Sequence, residues 1–455
     1  MIHESFKARM RDMLGEEYPA FIDALESAPT RGARVNLIKC KSGSIPEDAG
    51  LSVRKIPYAE NGYILESEVQ IGRTAVHHAG IIYMQDPGAM AAISAIDIPE
   101  GACVADLCAA PGGKSGQIAE RLGEGGFLLS NEYVPKRAKT IVGNLERLGA
   151  KRSIVTSMDT AALTKLYRSF FDIVVVDAPC SGEGMFRKSE EARSEWTPDS
   201  PAMCADRQRE ILANAVKLLK PGGTLLYSTC TWSLEENEMI VLWLLDSYPE
   251  LILTEVKEEL KAATSDGIVI SGREELRLTR RCYPHVTDGE GQFVAVLKKV
   301  DDDGDLPTIL YKDSAKAPSK EEKSAFDAFV RDAKIKLPDG RLVKVGENLV
   351  FLTHGYPLPP HSLFMSGILC GEVRRGILHP SHQLFSALGE CFARKLELGA
   401  VGDRVEKYLM GEEIDAPEME NGWCVVTVAG APLGGGKVSS GRLKNHYPKG
   451  LRNTR

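Results

Sequence analysis

Two cysteines follow apolar stretches of the chain, at positions where a reactive thiol would be useful. Cys180 lies within residues 177–182 (DAPCSG), and Cys230 lies within residues 228–231 (STCT). A thiolate is the nucleophilic form of cysteine, and its formation depends on the surrounding polarity and charge. One cysteine in such a turn would be structural in most proteins. Two of them, at or just past the ends of neighbouring predicted strands, favour nucleophilic chemistry.

A glycine-bearing turn precedes both cysteines. Residues 106–114 (DLCAAPGGK) follow a short apolar run and lead into a predicted helix. Such a turn brings backbone N–H groups close to a ligand. It matches neither the G-x-G-x-x-G dinucleotide pattern nor the G-x-x-x-x-G-K-[ST] phosphate loop, so a tight strand–helix connection and a cofactor contact both stay open. The candidate cofactor contacts in this turn are Cys108, Ala109, Ala110, Pro111, Gly112, Gly113 and Lys114.

Acidic residues stand at the ends of the neighbouring predicted strands. Glu132 comes about 20 residues after the glycine turn, a spacing at which a carboxylate can accept hydrogen bonds from both ribose hydroxyls. Asp159 follows the third strand, and Asp177 ends the fourth. Any one of them alone would be an ordinary surface charge. Together with Asp106 they indicate a nucleoside ligand that carries a cationic or amine-bearing tail.

Five short apolar runs are predicted to be the strands that position these side chains. They are residues 103–107, 127–130, 154–156, 172–177 and 224–228. Runs that are apolar at successive positions suit strands buried on both faces. A helical pattern at 208–219 ends before Pro221, as a helix before proline should. Strands alternating with helices predict a doubly wound, mostly parallel α/β sheet, in which ligands bind at the carboxyl ends of the strands.

The composition is that of a globular intracellular protein. The chain has 455 residues, 43% hydrophobic and 26% charged, which excludes wholesale disorder. The net charge of −7 argues against a polycation that coats nucleic acid but allows a local basic patch. Ten cysteines without a C-x-x-C pair predict reduced thiols and no metal site. No apolar run approaches the roughly 18 residues that span a bilayer, and no secretory signal is visible, so we expect a cytoplasmic protein that binds no membrane.

The length and the composition breaks predict several domains. Residues 301–323 are rich in Asp, Lys, Ser, Glu and Pro, which predicts a linker. Before it we expect a small N-terminal α/β domain at 1–75 and the main domain at 76–300. After it we expect a first C-terminal domain at 324–378 and a second at 379–455.

These segments resemble the Sun-type RNA (cytosine-5) methyltransferases, which use S-adenosylmethionine (SAM). Residues 106–114 look like the first cofactor motif of that family, 177–182 like its fourth motif and 228–231 like its sixth. Residues 83–87 (YMQDP) and 281–296 resemble the segments that open and close its catalytic domain.

The end of the chain adds to this resemblance. Residues 434–437 (GGGK) and 444–452 (KNHYPKGLR) are similar to the tail of RsmF-type members. Those enzymes act on small-subunit ribosomal RNA and end in a PUA-like RNA-binding domain. The resemblance therefore implies a Rossmann-like class I SAM-dependent methyltransferase core with a C-terminal PUA-like region. It implies methylation of carbon 5 of a cytidine in 16S ribosomal RNA, or in the small ribosomal subunit, by a monomer.

The resemblance also assigns roles to residues. It makes Cys230 the thiolate that adds to carbon 6 of the cytosine, and it gives Cys180 a role in product release, as or near the base. It places the methionine end of SAM in the turn 108–114, the ribose hydroxyls at Glu132 and the adenine amine at Asp159. Asp177 would lie near the methionine amino group and the target base.

RNA contact is expected from basic residues. The stretch 437–455 holds six of them and no acid, which suits contacts with phosphates. These residues are Lys437, Arg442, Lys444, Lys449, Arg452 and Arg455. Arg31, Arg34 and Asn36 are further candidates. The target base would have to leave its stack to reach Cys230.

Three alternatives stay open. The enzyme could make 5-methylcytosine in tRNA or another RNA. It could methylate DNA cytosine or a small molecule, since DNA enzymes carry the nucleophile in a Pro-Cys motif and both Pro179-Cys180 and Thr229-Cys230 occur here. It could also be a non-enzymatic RNA-binding factor that kept the fold, although Cys230 and the acids of the cofactor site are all present.

Overall fold

The computed structural model describes residues 2–123, 125–300 and 307–453. Its strands form an N-terminal sheet, a ten-stranded central sheet, two smaller C-terminal sheets and one short two-stranded ribbon. Within these residues, no helix combines the length and the apolar character needed to cross a membrane.

The N-terminal part begins with two helices and continues as a four-stranded antiparallel sheet in the order β2-β3-β1-β4. Its elements are α1 (Glu4–Leu14), α2 (Tyr18–Glu26), β1 (Gly32–Val35), β2 (Val53–Lys55), β3 (Gly62–Leu65), α3 (Ala75–His78) and β4 (Ile82–Met84). The buried rings of Phe6 and Phe21 pack on Trp232, whose ring centroid lies 5.0 Å from that of Phe21. The N-terminal helices therefore support the segment that directly follows Cys230.

The central part alternates helices with strands, as the apolar runs predict. Its elements are α4 (Pro87–Ser94), β5 (Cys103–Asp106), α5 (Gly113–Ala119), β6 (Phe127–Asn131), α6 (Pro135–Leu148), β7 (Ser153–Thr156), α7 (Thr160–Leu163), β8 (Tyr167–Arg168), β9 (Phe171–Asp177), α8 (Glu190–Glu195), α9 (Ser200–Leu218), β10 (Leu219–Thr229), α10 (Glu238–Ser247), β11 (Leu251–Thr254), α11 (Glu258–Ala262), β12 (Ser265–Asp266), β13 (Arg280–Cys282) and β14 (Gln292–Lys299). All five predicted core strands are confirmed, and the helix predicted at 208–219 is confirmed within the longer α9.

The central strands run in the order β12-β13-β14-β10-β9-β5-β6-β7. The five from β10 to β7 pair in parallel, and β14 pairs antiparallel with β10. Strands β6 and β7 lie on one side of β5, whereas β9 and β10 lie on its other side. The chain order therefore reverses direction between β5 and β9. In sheets of this kind, the crevice at such a reversal is where ligands bind.

The C-terminal part contributes two more sheets. Its elements are β15 (Thr308–Ile309), α12 (Lys320–Asp332), β16 (Arg341–Val345), β17 (Asn348–Leu352), β18 (Leu363–Ser366), β19 (Ile368–Arg374), β20 (Ile377–Pro380), α13 (His382–Leu388), β21 (Lys395–Leu398), α14 (Asp403–Met410), β22 (Ile414–Asp415), β23 (Gly422–Val428), β24 (Ala431–Ser439) and β25 (Arg442–Asn445). The sheet orders are β16-β17-β19-β20 and β21-β23-β24-β25-β22. Strand β18 joins neither sheet, because it pairs antiparallel with β7 and forms the edge of the central sheet.

The predicted domain limits fall among these elements as follows. Strand β4 pairs with β1, so the N-terminal sheet continues past residue 75. Residues 301–306 of the predicted linker lie outside the described residues. The rest of it is structured in part, because β15 pairs with β8 and Ser319 caps α12.

Buried polar residues hold the N-terminal sheet to its neighbours. Arg34 and Asn36 have no exposed surface. Arg34 forms an ion pair with Glu120, and Nδ2 of Asn36 donates to the carbonyl oxygens of Gly80 and Leu148, both at 2.8 Å. The prediction that Arg34 and Asn36 contact RNA is therefore wrong, since their side chains are enclosed between the N-terminal and central parts.

Lys39 makes a second connection between parts of the chain. Its ammonium donates to the Ser386 side chain on α13 at 3.2 Å and to the carbonyl oxygen of Pro432 on β24 at 3.0 Å. Burial lowers the pKa of Lys39 to about 7. The N-terminal part is thus fixed to α13 and to the five-stranded C-terminal sheet through one buried side chain.

Acid is expected to weaken this packing through buried histidines. Burial lowers the pKa of His77 to about 3 and that of His382 to about 4, with Arg147, His78 and Lys39 adding to the effect. The unfolded chain takes up these protons near pH 6.5 and the folded chain does not, so stability is lost as the pH falls from 6.5 towards 4. We expect the thermal midpoint to fall by several degrees over that range.

The variant His382→Gln, which cannot gain a charge, is expected to reduce this loss of stability in calorimetry at pH 7 and pH 4.5. The exposed His361 provides the matched control, because His361→Gln should keep the wild-type dependence. An unchanged pH dependence in His382→Gln would contradict the prediction.

Candidate active site

The carboxyl ends of β5 and β9 converge on one pocket. The residues that line it are Tyr83, Met84, Gln85, Asp86, Ala89, Asp106, Cys108, Ala109, Ala110, Pro111, Gly113, Lys114 and Asp177. It contains six of the seven candidates in the glycine turn, together with Asp177. Residues 83–86, from the end of β4 to the residue before α4, also line it.

Cys180 and Cys230 meet beside this pocket. Their sulfur atoms lie 3.2 Å apart, and both side chains are partly buried. The hydrogen bond to Cys230 and burial together raise the pKa of Cys180 well above its usual range. Cys180 is therefore held as a thiol in hydrogen-bond contact with the Cys230 sulfur.

Lys114 and Asp177 form a charged pair next to the two sulfurs. Nζ of Lys114 lies 2.7 Å from Oδ2 of Asp177. Burial acts to lower the pKa of Lys114, but the charges of Asp177 and Cys230 outweigh it and raise that pKa. Lys114 therefore stays protonated, facing both the carboxylate and the Cys230 sulfur.

The other oxygen of Asp177 is also held in place. Oδ1 accepts from the Ser228 hydroxyl at 2.7 Å and from Nε2 of Gln292 at 3.3 Å. These two partners lie on β10 and β14, the two strands that follow β9 on one side of the sheet, so both hold the carboxylate from that side. Sequence reasoning placed Asp177 in the site but missed Gln292, because nothing in the spacing relates residue 292 to residue 177.

The backbone of the glycine turn leaves little room for side chains at Gly112 and Gly113. Gly112 has φ +108°, a conformation that favours glycine, and α5 begins at the next residue. A Cβ on Gly113 would lie 3.2 Å from the Tyr83 ring. Cys108 is inert, because burial raises the pKa of its thiol far above the usual range.

Asp106 adds an acceptor that faces the pocket. Its Oδ2 accepts from the Ser115 hydroxyl at 2.7 Å, whereas its buried Oδ1 has no hydrogen-bond partner within the described chain. Burial raises the pKa of Asp106 to about 7. A ligand amine would satisfy this oxygen.

Glu132 and Asp159 do not line the pocket wall formed by the turn. Glu132 is buried at the end of β6, where it accepts from the backbone N–H of Val134 at 3.0 Å and lies 3.4 Å from Arg137. Asp159 is exposed and caps α7 through the N–H of Ala161 at 2.7 Å. Both stand at the same strand-end edge as the turn.

A buried network ties the two cysteine loops together. The Glu236 carboxylate accepts from the backbone N–H of Ser181 at 2.9 Å, from its hydroxyl, and from Nε2 of Gln208 at 2.9 Å. The Ser181 hydroxyl also lies 2.9 Å from that of Thr231. Sequence reasoning missed Gln208 and Glu236. The polar stretch 235–238 (EENE) after Cys230 was the only available signal for Glu236.

The basic residues of the C-terminal stretch have mixed surroundings. Nζ of Lys437 lies 5.8 Å from the centroid of the Trp423 ring, and Arg452 donates to the carbonyl oxygen of Tyr447. Arg442 lies near Glu413 and Asp415. Lys444 and Lys449 are exposed, and Arg455 lies outside the described residues.

Three family models match the chain and together cover most of it. Residues 93–298 match 16S rRNA methyltransferase RsmB/F, and residues 2–87 match the N-terminal domain of 16S rRNA methyltransferase RsmF. Residues 395–453 match the methyltransferase RsmF PUA domain.

Relatives extend over almost the whole chain. A protein of Klebsiella pneumoniae named ribosomal RNA small subunit methyltransferase F is 31% identical, over 98% of this chain and 96% of its own length. One of the same name from Vibrio vulnificus is 30% identical over 95% and 93%.

Solved structures also resemble the fold. The methyltransferase homolog protein from Pyrococcus horikoshii is 29% identical, with a TM-score of 0.54 over 63% of this chain and 92% of that one. NSun6 from Pyrococcus horikoshii with SFG is 21% identical, with a TM-score of 0.54 over 65% of this chain and 98% of that one, which supports the fold alone.

These matches confirm the predicted architecture, a class I SAM methyltransferase fold with an N-terminal domain and a C-terminal PUA domain. The resemblance drawn from the paired cysteine motifs is confirmed as well. The chain belongs to the RsmB/F family of 16S rRNA methyltransferases.

Proposed function

We propose that this enzyme methylates carbon 5 of a cytidine in 16S ribosomal RNA, with SAM as cofactor and a covalent bond between Cys230 and the base. The observation that carries the proposal is the contact of 3.2 Å between the Cys180 and Cys230 sulfurs, beside the Lys114–Asp177 pair. Two sulfurs in contact place a nucleophile and a second thiol beside the same reacting atoms.

Carbon 5 of cytosine is a poor nucleophile, which explains why the chemistry needs a thiolate. The Cys230 sulfur adds to carbon 6, and the electron pair of the ring double bond makes carbon 5 enamine-like. This divides a difficult step into easier ones. When bound, SAM supplies an electrophilic methyl group.

Cys180 acts in the second half of the reaction. Cys180 takes up the proton of carbon 5 while its own proton passes to the departing Cys230 sulfur. The electrons of the carbon–hydrogen bond restore the double bond between carbons 5 and 6, and those of the bond between carbon 6 and sulfur stay with Cys230. Cys180 already contacts the sulfur that leaves. Two cysteines are needed because one of them is held in the adduct.

The residues of the pocket fit SAM. The unpartnered Oδ1 of Asp106 is a buried acceptor for an amine, and the left-handed Gly112 lets the turn approach a ligand closely. We assign the methionine end to the turn 108–114 and to Asp177, the ribose hydroxyls to Glu132 and the adenine amine to Asp159. The Lys114 ammonium and the partly buried Asp177 carboxylate would also orient the polar edge of the target base.

The RNA is expected to reach this pocket as an unstacked base. We propose that the PUA domain and the exposed Lys444 and Lys449 bind phosphates away from the reacting base. We propose that the enzyme works as a monomer in the cytoplasm, on 16S ribosomal RNA or the assembled small subunit.

A radiolabelled methyl-transfer assay tests the proposal. Naked 16S ribosomal RNA, assembled small subunits, tRNA and duplex DNA are each incubated with the enzyme and labelled SAM, with Cys230→Ala as the blank. We expect 5-methylcytidine in the 16S RNA of at least one ribosomal substrate. Label confined to tRNA would show that the substrate is tRNA and not 16S ribosomal RNA. Label in DNA, or none above the blank, would overturn the proposal.

A further inference from the structure

Two side chains hold the residues on both sides of Cys180. Gln208, on α9, donates through Nε2 to the carbonyl oxygen of Pro179 at 3.0 Å and to Oε2 of Glu236 at 2.9 Å. The same Oε2 accepts from the backbone N–H of Ser181 at 2.9 Å. The position of the Cys180 backbone is therefore fixed on each side by this pair.

The same carboxylate reaches the Cys230 loop. The Ser181 hydroxyl, which donates to Oε1 of Glu236, lies 2.9 Å from the hydroxyl of Thr231, next to Cys230. The Tyr227 hydroxyl anchors the network from β10, because its single proton is shared between Oε1 of Gln208, at 3.0 Å, and the carbonyl oxygen of Glu236. One carboxyl group thus connects both loops whose sulfurs must meet.

A stabilising role does not account for a carboxylate at this point. Glu236 has no exposed surface, and across residues 2–123, 125–300 and 307–453 no Lys or Arg forms an ion pair with it. Burial raises the pKa of Glu236 to about 7, which reflects the free energy of holding a charge there. A buried carboxylate without a cationic partner costs folding stability. Its presence here therefore points to a functional reason.

We infer that Glu236 is a positioning residue. It holds the Cys180 sulfur in contact with the Cys230 sulfur for the release half of the reaction. The inference rests on the proposed function. Glu236 does not touch the reacting atoms; it acts through Ser181, Gln208 and Pro179. Functional groups must be held within about 0.5 Å of the productive geometry, so a loop without this acceptor would leave Cys180 out of reach of the departing sulfur.

The test compares Glu236→Ala with Glu236→Gln. Alanine removes every acceptor of the network. Glutamine keeps an oxygen for the Ser181 N–H and for Gln208. Its amide can donate to the Ser181 hydroxyl, whose proton then becomes available to Thr231. We expect Glu236→Ala to lower multiple turnover about 100-fold. It should also accumulate an adduct with 16S RNA that survives denaturing electrophoresis.

Glu236→Gln is expected to keep turnover within about threefold of wild type and to show no adduct, because glutamine preserves the hydrogen bonds that position Cys180. The matched control is Asp172→Asn. Asp172 is the second residue of β9, at the amino ends of the core strands and away from the site, and it accepts from the Cys103 N–H at 2.8 Å. This variant should leave both readouts unchanged.

The outcomes separate this inference from the proposed function. If Cys180→Ala accumulates the adduct and Glu236→Ala turns over like wild type, only the role of Glu236 is wrong. If neither variant accumulates an adduct, the proposed function fails. Should Glu236→Ala not fold, Ser181→Ala removes the hydroxyl link alone. Adduct accumulation in it supports the inference, and wild-type turnover without adduct overturns it.

Discussion

Replacing Cys230 by alanine is expected to abolish both methyl transfer and the covalent complex with RNA. We assign the attack to the Cys230 sulfur, which contacts the Cys180 sulfur and interacts with the charge of the Lys114 ammonium. Removing the nucleophile from an enzyme with covalent catalysis costs about 10⁴-fold or more in rate. Scintillation counting of labelled 16S RNA measures the loss, and denaturing electrophoresis measures the complex.

Cys204→Ala provides the control for this variant. Cys204 is a free, partly buried cysteine on α9, in the same region of the fold. It has no place in the proposed mechanism, and we expect its variant to remain active. An adduct formed by Cys230→Ala, or methyl transfer at the wild-type rate, would show that another residue is the nucleophile.

Replacing Cys180 by alanine is expected to have a different effect, the accumulation of a stable protein–RNA complex. Addition to carbon 6 and methyl transfer need only Cys230, so the adduct forms. Its release needs a group at the position of the Cys180 sulfur, 3.2 Å from the leaving sulfur. Loss of a proton-transfer group costs about 10²–10⁴-fold, so turnover should fall by that factor while the complex survives denaturation.

The double variant Cys180→Ala, Cys230→Ala identifies the bond in that complex. Without Cys230 no adduct can form, and the slowly migrating band of the protein–RNA complex should disappear from the denaturing gel. Mass spectrometry of the digested single variant should locate the nucleotide on the peptide that contains Cys230. Normal turnover by Cys180→Ala would remove Cys180 from the mechanism.

The sequence predicted the parallel core because its strands are continuously apolar. The limits of β5, β6, β7 and β9 agree with the prediction to within a residue or so, and β10 contains the predicted strand. The antiparallel additions were not predicted, since β11 to β13 are short and their pairing depends on distant parts of the chain. The pairing of β18 with β7 could not be predicted from the sequence, because the two strands lie far apart in the chain and in different predicted domains.

The site was predicted where its residues follow the strand ends directly. Cys180, Cys230, Asp177 and the glycine turn lie close in sequence to the strands that carry them, and the parallel sheet brings those ends together. Gln208 could not be identified in this way, because it lies in the middle of α9 and reaches the cysteine loop only through packing. Arg34 shows the opposite error, since a basic side chain that suggests RNA contact is buried against Glu120.

The pairing of β18 with β7 has a consequence for biosynthesis. The edge of β7 presents unsatisfied backbone groups until β18 has been translated, about 200 residues later. At 5–20 residues per second this interval lasts roughly 10–40 s. During that time the nascent catalytic sheet has an open edge, a template for pairing with other chains, so completion of the C-terminal part also closes a route to aggregation.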